Sequence, residues 1–365
     1  MQVGMQIVYQ NHTGHADADM FRTETKLAIE AEAMGFDFVG LVEHHFTDYA
    51  MCPDNALALA YIAARTKKLK LMPAAFILPW NDPLRVAEKA VLLDVLSEGR
   101  VILGFGRGLA KCEFTGLRID MNESRERFDE AAEIILKGLE SGFVEGSGKH
   151  YRQPRVELRP RPPASFKGRA CMVGMSPSSV EVAARLGLGC LKFSQGSWKT
   201  GVVEVQKYRD AYRKYHNREA PPIIIADMVS CFEDKRKTEA YARRYMTAYY
   251  RSVLEHYEMA GDHFKNIPAY SNYAAASAAL NAGGGVDKGL QDYLDSNLAF
   301  TPSEMLDRLE ERREVVGDFD LSVNFTFGSM PYEDVWHQAK LFSEKVLPKL
   351  KSSKSASAGT ASVAA

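Results

Sequence analysis

Three apolar segments, each followed at once by polar residues, constrain this chain more than any other feature of its sequence. They span 38–43, 69–78 and 101–106, and two amphipathic segments with helical spacing separate them. The polar residues that follow are Glu43-His44-His45, Pro79-Trp80-Asn81-Asp82 and Arg107. When parallel strands alternate with helices, the carboxyl ends of the strands meet at one edge, and ligands bind there. The stretch therefore predicts an α/β fold with a functional site at that edge.

The same alternation continues to about residue 350 and predicts eight strands interleaved with helices. A chain of 365 residues with 46% hydrophobic content can bury a core of that size, so we predict a (β/α)8 TIM barrel over 1–350. Two insertions, at about 141–167 and 260–297, interrupt the alternation. The second is long enough to cover the barrel mouth as a lid. The small and polar tail of 351–365 is predicted to be disordered.

The composition excludes several classes of function. A formal net charge of -1 gives no global attraction to nucleic acid or to an anionic membrane. The five cysteines form no CxxC pair and no metal-like spacing with histidine, so we expect reduced thiols and no metal site. No apolar run approaches the ~20 residues that a membrane span requires. We expect a soluble, cytoplasmic protein.

Two glycine-rich segments imitate nucleotide-binding motifs without matching them. Gly104-Phe105-Gly106-Arg107-Gly108 fails as a dinucleotide fingerprint because Leu109 replaces the third glycine. Gly146-Ser147-Gly148-Lys149 fails as a P-loop because His150 replaces the Ser or Thr. No nicotinamide site is therefore expected within the chain. The glycines beside Arg107 would still let a flat ring approach the backbone, and its guanidinium could bind a phosphate.

Two further segments are candidates for anion binding. Arg125 lies near the start of a predicted helix, where it could bind a phosphate or form a surface ion pair with Glu123 or Asp129. The segment of 173–179 (VGMSPSS) leads from a strand into a helix. Its hydroxyls, amides and helix N-terminus could bind an anion, although a plain helix cap is the alternative.

Paired histidines after the second predicted strand are the candidates for proton transfer. His44 and His45 follow Glu43, so one ring could be polarised while the other packs. Without a set of ligands at metal spacing nearby, general acid–base work is the favoured function. The alternative is that these histidines only pack.

Small and aromatic residues mark the rest of the candidate pocket. Ala74 and Ala75 interrupt a strand of large residues and leave room for a planar ligand, unless they only permit tight packing. Five aromatic side chains could line the pocket or belong to the core: Phe46, Trp80, Phe114, Tyr249 and Tyr250.

These segments together resemble the bacterial luciferase-like family of flavin-dependent monooxygenases. The motifs that carry the resemblance are GFDFVGLVEHHFTDY, LPWNDPLRVAEKAVLLDVLSEGR, GFGRGL and ESRERFDEA. The resemblance implies a (β/α)8 barrel that binds FMN at its C-terminal mouth. It also implies that a separate flavin reductase supplies reduced FMN (FMNH2), which reacts with O2. The resulting flavin 4a-hydroperoxide would oxygenate a small-molecule substrate, and the subunits would pair as a homodimer.

The resemblance also assigns roles to particular residues. His44, with Glu43 beside it, would handle protons, and Ala74–Ala75 would be a cis non-proline peptide under the flavin ring. Predicted cofactor contacts are Arg107, Leu109, Arg125, Val173, Gly174, Met175, Ser176 and Ser179. Light-emitting members have a reactive cysteine where Gly106 stands here and an acidic residue where Met175 stands, so light emission is not predicted.

Two alternatives remain open at this point. One is an F420-dependent oxidoreductase on the same barrel, against which the EHHF and ESRER elements favour FMN. The other is a non-catalytic, flavin-binding partner subunit. Such partners tend to lose the lid or the histidine, and this chain keeps both His44 and the long segment of 260–297.

Overall fold

The computed structural model describes residues 1–11 and 14–358. Its strands are β1 (Val3–Ile7), β2 (Phe38–Leu41), β3 (Lys70–Pro73), β4 (Phe76–Ile77), β5 (Leu103–Gly106), β6 (Phe143–Ser147), β7 (Arg152–Glu157), β8 (Ala170–Val173), β9 (Gly189–Phe193), β10 (Ile223–Ser230), β11 (Leu298–Ala299) and β12 (Phe319–Asn324). The first helices are α1 (Asp17–Glu30), α2 (Asn55–Ala63), α3 (Pro83–Leu96), α4 (Lys111–Gly116), α5 (Ser124–Ser141), α6 (Pro177–Arg185) and α7 (Trp198–His216). The later helices are α8 (Lys235–Tyr241), α9 (Thr247–His256), α10 (Ser271–Asn281), α11 (Gly285–Ser296), α12 (Pro302–Val316), α13 (Tyr332–Lys345) and α14 (Leu347–Ala358).

Parallel strands close into a barrel in the order β3-β2-β1-β12-β10-β9-β8-β5-β4. The two ends of this path, β3 and β4, are consecutive parts of one chain segment, so the barrel has eight strand positions. Leu71 also pairs with Val101, which links the β3 side to the β5 side. The predicted (β/α)8 barrel is confirmed. Each strand can be apolar on both faces because side chains fill the interior and helices cover the outside.

The predicted single strand over 69–78 is wrong in one respect. It is divided into β3 and β4 at the Ala74–Ala75 peptide bond, which is cis as the resemblance implied. Gly104 on β5 makes room for this irregular backbone. A Cβ atom at that position would lie 2.1 Å from the carbonyl oxygen of Pro73, so no larger residue fits.

Acidic caps start the two helices that follow β2 and β4. The side chain of Asp54 accepts a hydrogen bond from the Leu57 amide at the start of α2, which confirms the predicted cap. Asp82 does the same for the Arg85 amide, and Pro83 occupies the first turn of α3. These caps fix where the strand-to-helix loops end, and those loops form the mouth of the barrel.

Both predicted insertions have regular structure. The first contains the antiparallel hairpin of β6 and β7. The second, called the lid segment below (residues 260–297), contains α10 and α11 after two short 3-10 turns. The tail predicted to be disordered begins inside α14, and residues 359–365 lie outside the described residues. Within 1–11 and 14–358, each helix is too short or too polar to cross a bilayer.

Candidate active site

One large cavity, of about 540 Å³, opens at the C-terminal mouth of the barrel and extends under the lid segment. Its volume is in the range of small-molecule and cofactor sites. Nine of the predicted site residues line it: Glu43, His44, Ala74, Ala75, Arg107, Leu109, Val173, Met175 and Ser179. The other three, Arg125, Gly174 and Ser176, are not part of the lining. The structure therefore brings most of the predicted site together around one space.

His44 is held between an acid and a tyrosine. Its Nδ1 atom lies 2.9 Å from Oε1 of Glu113, and its Nε2 atom lies 3.2 Å from the hydroxyl of Tyr257. Glu113 belongs to α4, and Tyr257 directly follows α9. A carboxylate at Nδ1 favours the tautomer that carries its proton there, which leaves Nε2 to exchange a proton on the cavity side.

Glu113 also serves neighbours other than His44. Its Oε1 atom accepts a hydrogen bond of 2.8 Å from the amide of His45 and lies 3.8 Å from Nε2 of His256. Burial alone would raise the pKa of Glu113, but His44, His256 and the His45 amide outweigh it and the pKa is lowered. Burial and, to a smaller extent, the neighbouring His44 lower the pKa of His256 to about 4. The cluster thus combines an ionised acid with a neutral second imidazole.

The same three side chains have a spacing that could bind a metal ion. The ligand atoms of His44, Glu113 and His256 all lie within 4.8 Å of one another. A carboxylate with two imidazoles is a donor set that zinc and other divalent transition metals accept. In the described structure, the Glu113 oxygen that would bind such an ion already accepts hydrogen bonds from His44 and His45.

Glu43 has different partners from those that its position beside His44 suggested. Its carboxylate accepts hydrogen bonds from the Ile77 amide at 3.1 Å, from Nε1 of Trp80 at 2.7 Å and from Nδ2 of Asn81 at 2.8 Å. The ring of His45 is 3.4 Å away. Glu43 therefore joins the end of β2 to the turn that leads into α3, and Glu113 occupies the place beside the His44 ring.

Two arginines and a group of serines converge beside the other end of the cavity, where Arg107 and Ser179 belong to its lining. Arg125 at the start of α5 donates a 2.9 Å hydrogen bond from Nη2 to Oγ of Ser178. The Oγ atom of Ser176 lies 3.2 Å from that of Ser178 and 2.8 Å from that of Ser179. Ser176 also caps α6 by accepting the Ser179 amide, so the plain helix cap is present as well. The hydroxyls and the helix N-terminus together form a polar cluster, called the serine cradle below.

The two arginines at the serine cradle repel each other, and the carboxylate of Asp129 offsets part of this repulsion. The pKa of Arg125 is lowered, mainly by burial and next by the positive charge of Arg107. The Nη1 atom of Arg125 is buried and has no hydrogen-bond partner in the described part of the chain. Such an arrangement is costly unless an anion completes it, because buried donors need acceptors and like charges need compensation.

A smooth surface lies between the serine cradle and His44. Ala74 and Ala75 are almost fully buried there, and a Cβ atom added to Gly106 would lie 3.4 Å from that of Ala75 and 2.6 Å from Cδ1 of Ile77. Small side chains at these points leave the cavity wall flat enough for a planar ring.

The lid segment lines part of the cavity and is attached to the barrel through Arg107. Nη1 of this arginine donates a 2.8 Å hydrogen bond to the carbonyl of Ala269, and its guanidinium lies 4.1 Å from the centroid of the Tyr270 ring. The hydroxyl of Tyr270 donates in turn to the Gly108 carbonyl at 2.9 Å. Residues of α10 and α11 line the cavity, among them Tyr273 and Tyr293. Residues of this segment therefore form part of the cavity wall, and its role as a lid stays a prediction.

The five predicted pocket aromatics divide into two groups. Tyr249 and Tyr250 on α9 line the cavity. Trp80 and Phe114 instead pack with each other at 5.0 Å between ring centroids, and Phe46 is 63% exposed. The aromatic lining that these predictions missed comprises Tyr49, Phe193, Tyr257, Tyr273 and Tyr293.

Three residues near His44 were not predicted: Glu113, His256 and Tyr257. The one sequence signal for Glu113 is a lone acid between Cys112 and Phe114, four residues after the end of the GFGRGL motif. His256 and Tyr257 lie more than 200 positions from His44 in the chain. Only the fold brings α9 against the end of β2.

The amino-acid sequence matches a known family and is similar to that of a known protein. The profile of the family described as luciferase-like monooxygenase matches residues 1–318. The chain is 26% identical to an alkanal monooxygenase alpha chain of Photorhabdus luminescens over 338 residues, which cover 92% of this chain and 93% of that protein. The match extends from the barrel strands through the lid segment.

Solved structures share the same architecture. The monooxygenase RslO1 from Streptomyces bottropensis superposes with a TM-score of 0.75 at 27% identity, over 96% of this chain and 100% of that one. The oxygenating constituent of 3,6-diketocamphane monooxygenase from Pseudomonas putida gives 0.72 at 18% identity, over 96% and 99%. An F420-dependent secondary alcohol dehydrogenase gives 0.70 at 17% identity, over 95% and 98%. The last two similarities concern the fold alone.

Proposed function

This chain belongs to the luciferase-like monooxygenase family, and we propose that it uses reduced FMN and O2 to insert one oxygen atom into a small organic substrate. The observation that carries the proposal is the arrangement of the cavity. The serine cradle, with the partnerless Nη1 atom of Arg125 in the described structure, lies beside one end, and a histidine that an acid holds in place lies at the other. The flat Ala74–Ala75 surface lies between them. The 3,6-diketocamphane enzyme, which shares the fold, was solved in complex with FMN, which supports the choice of cofactor.

In this proposal the FMN phosphate binds at the serine cradle. Arg125 would donate its free Nη1–H to a phosphate oxygen, and the Ser176, Ser178 and Ser179 hydroxyls would add further hydrogen bonds. The N-terminus of α6, a helix of nine residues, would favour the negative charge. Arg107 would screen the phosphate from one side while it keeps its bond to the lid segment.

The flavin ring would lie on the flat surface of Ala74 and Ala75. Leu109, Val173 and Met175 line the same part of the cavity and would contact its edges. Gly174 acts indirectly, because a Cβ atom there would lie 2.5 Å from Sγ of Cys190, so only glycine lets β8 approach β9 so closely.

When bound, reduced FMN supplies the activation of O2, and the chain supplies binding, orientation and proton transfer. We assign proton transfer to His44 at its Nε2 atom, with the Tyr257 hydroxyl next to it. Glu113 would hold the Nδ1–H and stabilise the imidazolium when a second proton arrives. Glu43 is proposed to position the β4–α3 turn, and the lid segment excludes water.

The F420-dependent reaction is the second candidate, since an F420-dependent dehydrogenase has the same fold. Both cofactors have a tricyclic ring and a phosphate, so the same cavity could hold either ring. Anaerobic titration with each cofactor separates the two candidates. Tighter binding of FMN supports the proposal, and tighter binding of F420 contradicts it.

We also propose two partners. A separate flavin reductase would supply reduced FMN, because the GFGRGL segment lacks the third glycine of a nicotinamide fingerprint. A second copy of this chain would cover the apolar outer face of α2 and α3. That face exposes Leu57, Tyr61, Leu92, Val95 and Leu96, between 40% and 73% each.

The dimer proposal has a direct check. Leu57→Glu combined with Leu92→Glu should convert a dimer to a monomer in analytical ultracentrifugation, because two buried charges oppose assembly on each side of the interface. Val203→Glu, an equally exposed apolar position on α7, is the matched control. A wild-type protein that sediments as a monomer at all concentrations contradicts the proposal.

The proposed reaction is tested with isotopic oxygen. The protein is mixed under 18O2 with photoreduced FMN and a panel of aromatic and aliphatic carbonyl compounds. The masses of the products are measured by mass spectrometry. The proposal expects one 18O atom in a product that His44→Ala does not form. Product oxygen that derives from water, or an equal yield without the protein, would refute it.

A further inference from the structure

Two buried carboxamides form the floor of the cavity. Gln6 on β1 and Asn324 on β12 are register partners on adjacent parallel strands, and both line the cavity. They are 2% and 1% exposed, respectively. The two side chains therefore stand next to each other, deep under the mouth, where bulk water does not hydrate them.

The oxygen end of each carboxamide is already used. Oδ1 of Asn324 accepts the Thr326 amide at 2.7 Å and the Thr326 hydroxyl at 3.2 Å. Because a backbone amide can only donate, this contact fixes which end of the Asn324 side chain is oxygen. Oε1 of Gln6 accepts the hydroxyl of Ser322 at 3.4 Å.

The nitrogen ends are free to bind something else. Neither Nε2 of Gln6 nor Nδ2 of Asn324 has a hydrogen-bond partner anywhere in residues 1–11 and 14–358. Buried donors are almost always paired in folded proteins, so two neighbouring exceptions in one cavity indicate that a ligand acceptor belongs there. We call this pair the donor floor.

Aromatic rings line the same cavity as the donor floor and are called the tyrosine wall below. Tyr49 contacts Tyr249 and Tyr257, with ring centroids 5.8 Å and 5.5 Å apart. Tyr293 of α11 continues this wall from the lid segment, and its buried hydroxyl is a further polar atom without a partner among the described residues. Flat aromatic faces and a polar tip favour a planar ligand with polar substituents.

We propose that this cavity binds an aromatic carbonyl compound, an aryl ketone or a quinone, with its carbonyl oxygen on the donor floor and its ring against the tyrosine wall. That this compound is the molecule oxygenated rests on the proposed function. A neutral acceptor suits neutral amide donors, whereas a carboxylate would need a cation beside it. An alkane would leave the buried donors unpaired. Asp227, which also lines the cavity, is already paired with Arg312 at 2.6 Å.

The first test needs no variant. The flavin-free protein is titrated by equilibrium dialysis with 2-acetonaphthone and with 2-ethylnaphthalene, which has the same ring but a methylene in place of the carbonyl. The ketone should bind at least ~10-fold more tightly, because the hydrocarbon leaves both donors unpaired. Equal affinities for the two compounds would refute the proposal that the donor floor binds the carbonyl oxygen. Cyclohexyl methyl ketone should bind about 10-fold more weakly than 2-acetonaphthone. Equal binding of these two ketones would refute the proposal that the tyrosine wall contacts an aromatic ring.

The second test removes the donors. Gln6→Met together with Asn324→Leu should reduce the preference for the ketone to about twofold or less while 2-ethylnaphthalene binds as before. Gln195→Met, the same change at an exposed residue on the edge of the cavity, should keep the preference.

Separate titration with FMN distinguishes the flavin from the substrate as the ligand of the donor floor. The double variant should bind FMN within about twofold of wild type. Weaker FMN binding with the ketone preference intact would assign the donors to the flavin ring carbonyls and overturn the proposal. A protein that prefers the ketone but binds no FMN would instead refute the proposed function and leave the donor floor standing.

Discussion

The two ends of the cavity are built on opposite principles. At the serine cradle, Arg125 has a buried Nη1 atom without a partner in the described structure, and burial, followed by its positive neighbour Arg107, lowers its pKa. At the other end, His44 has a partner on each ring nitrogen, Glu113 and Tyr257. One end is incomplete without an anion, and the other is complete without a ligand.

This difference predicts which property each end controls. A site that lacks a partner gains most from its ligand, so changes at the serine cradle should alter the affinity for FMN. A site that is already organised gains little from ligand contact and can be tuned for proton transfer, so changes at His44 should alter the rate. The following predictions separate the two ends, from the largest expected effect to the smallest.

The largest effect is expected from His44→Ala. Removal of the proton-transfer group should lower the rate of product formation by about 10²- to 10⁴-fold, whereas the dissociation constant of FMN should stay within about twofold of wild type. Single-turnover kinetics and an anaerobic flavin titration measure the two quantities. His337→Ala, on the exposed side of α13, is the control. A loss of FMN binding with an unchanged rate at saturating flavin would contradict the assignment of His44 to proton transfer.

Arg125→Met should show the opposite pattern. Loss of charge-assisted hydrogen bonds to the phosphate should weaken FMN binding by about 10- to 100-fold, while the rate at saturating flavin stays near that of wild type. Arg185→Met makes the same change at a surface residue that pairs with Glu133, and it should bind FMN normally. If both variants bind FMN as wild type does, Arg125 forms only its bond to Ser178.

The smallest effect concerns the pH dependence of stability at His256. Its pKa is lowered to about 4 in the folded protein, so the unfolded chain takes up this proton first as the pH falls. His256 therefore does not change the free energy of unfolding above about pH 6.5. Between pH 6.5 and pH 5 this free energy should fall by about 2 kcal/mol. Glu113, with its lowered pKa, stays ionised throughout this window.

Chemical denaturation at pH 7 and pH 5 measures this change in the free energy of unfolding. His256→Gln should reduce the loss of unfolding free energy on acidification, since glutamine does not titrate. His337→Gln, at an exposed position, should not reduce it. An unchanged pH dependence in His256→Gln would mean that the buried imidazole accepts its proton as easily as an exposed one.

The barrel and most residues that line the cavity at its strand ends are largely predictable from the sequence, and the partners of His44 are not. Strands and their polar ends are contiguous in sequence, so Ala74, Arg107 and Ser179 could be placed on one edge from periodicity and motif. Glu113 and His256 reach His44 through packing of α4 and α9, and no local pattern encodes that contact.

Aromatic residues show the same limit. Trp80 and Phe114 follow strand ends as pocket residues should, yet their rings pack against each other because Glu43 holds the Trp80 indole. Tyr293 lies in the insertion of 260–297, and it lines the cavity. The local sequence of this insertion does not predict that contact. The packing of side chains across elements decides such cases, and sequence spacing does not report it.

The most direct test of the central claim compares reduced FMN with reduced riboflavin, which has the same ring and lacks the phosphate. Anaerobic titration of the wild-type protein should show FMN binding about 10- to 100-fold more tightly, because only FMN completes the serine cradle and pairs the free Nη1 atom of Arg125. Equal affinity for the two flavins would contradict the account, since Arg125 would then have no part in holding the cofactor.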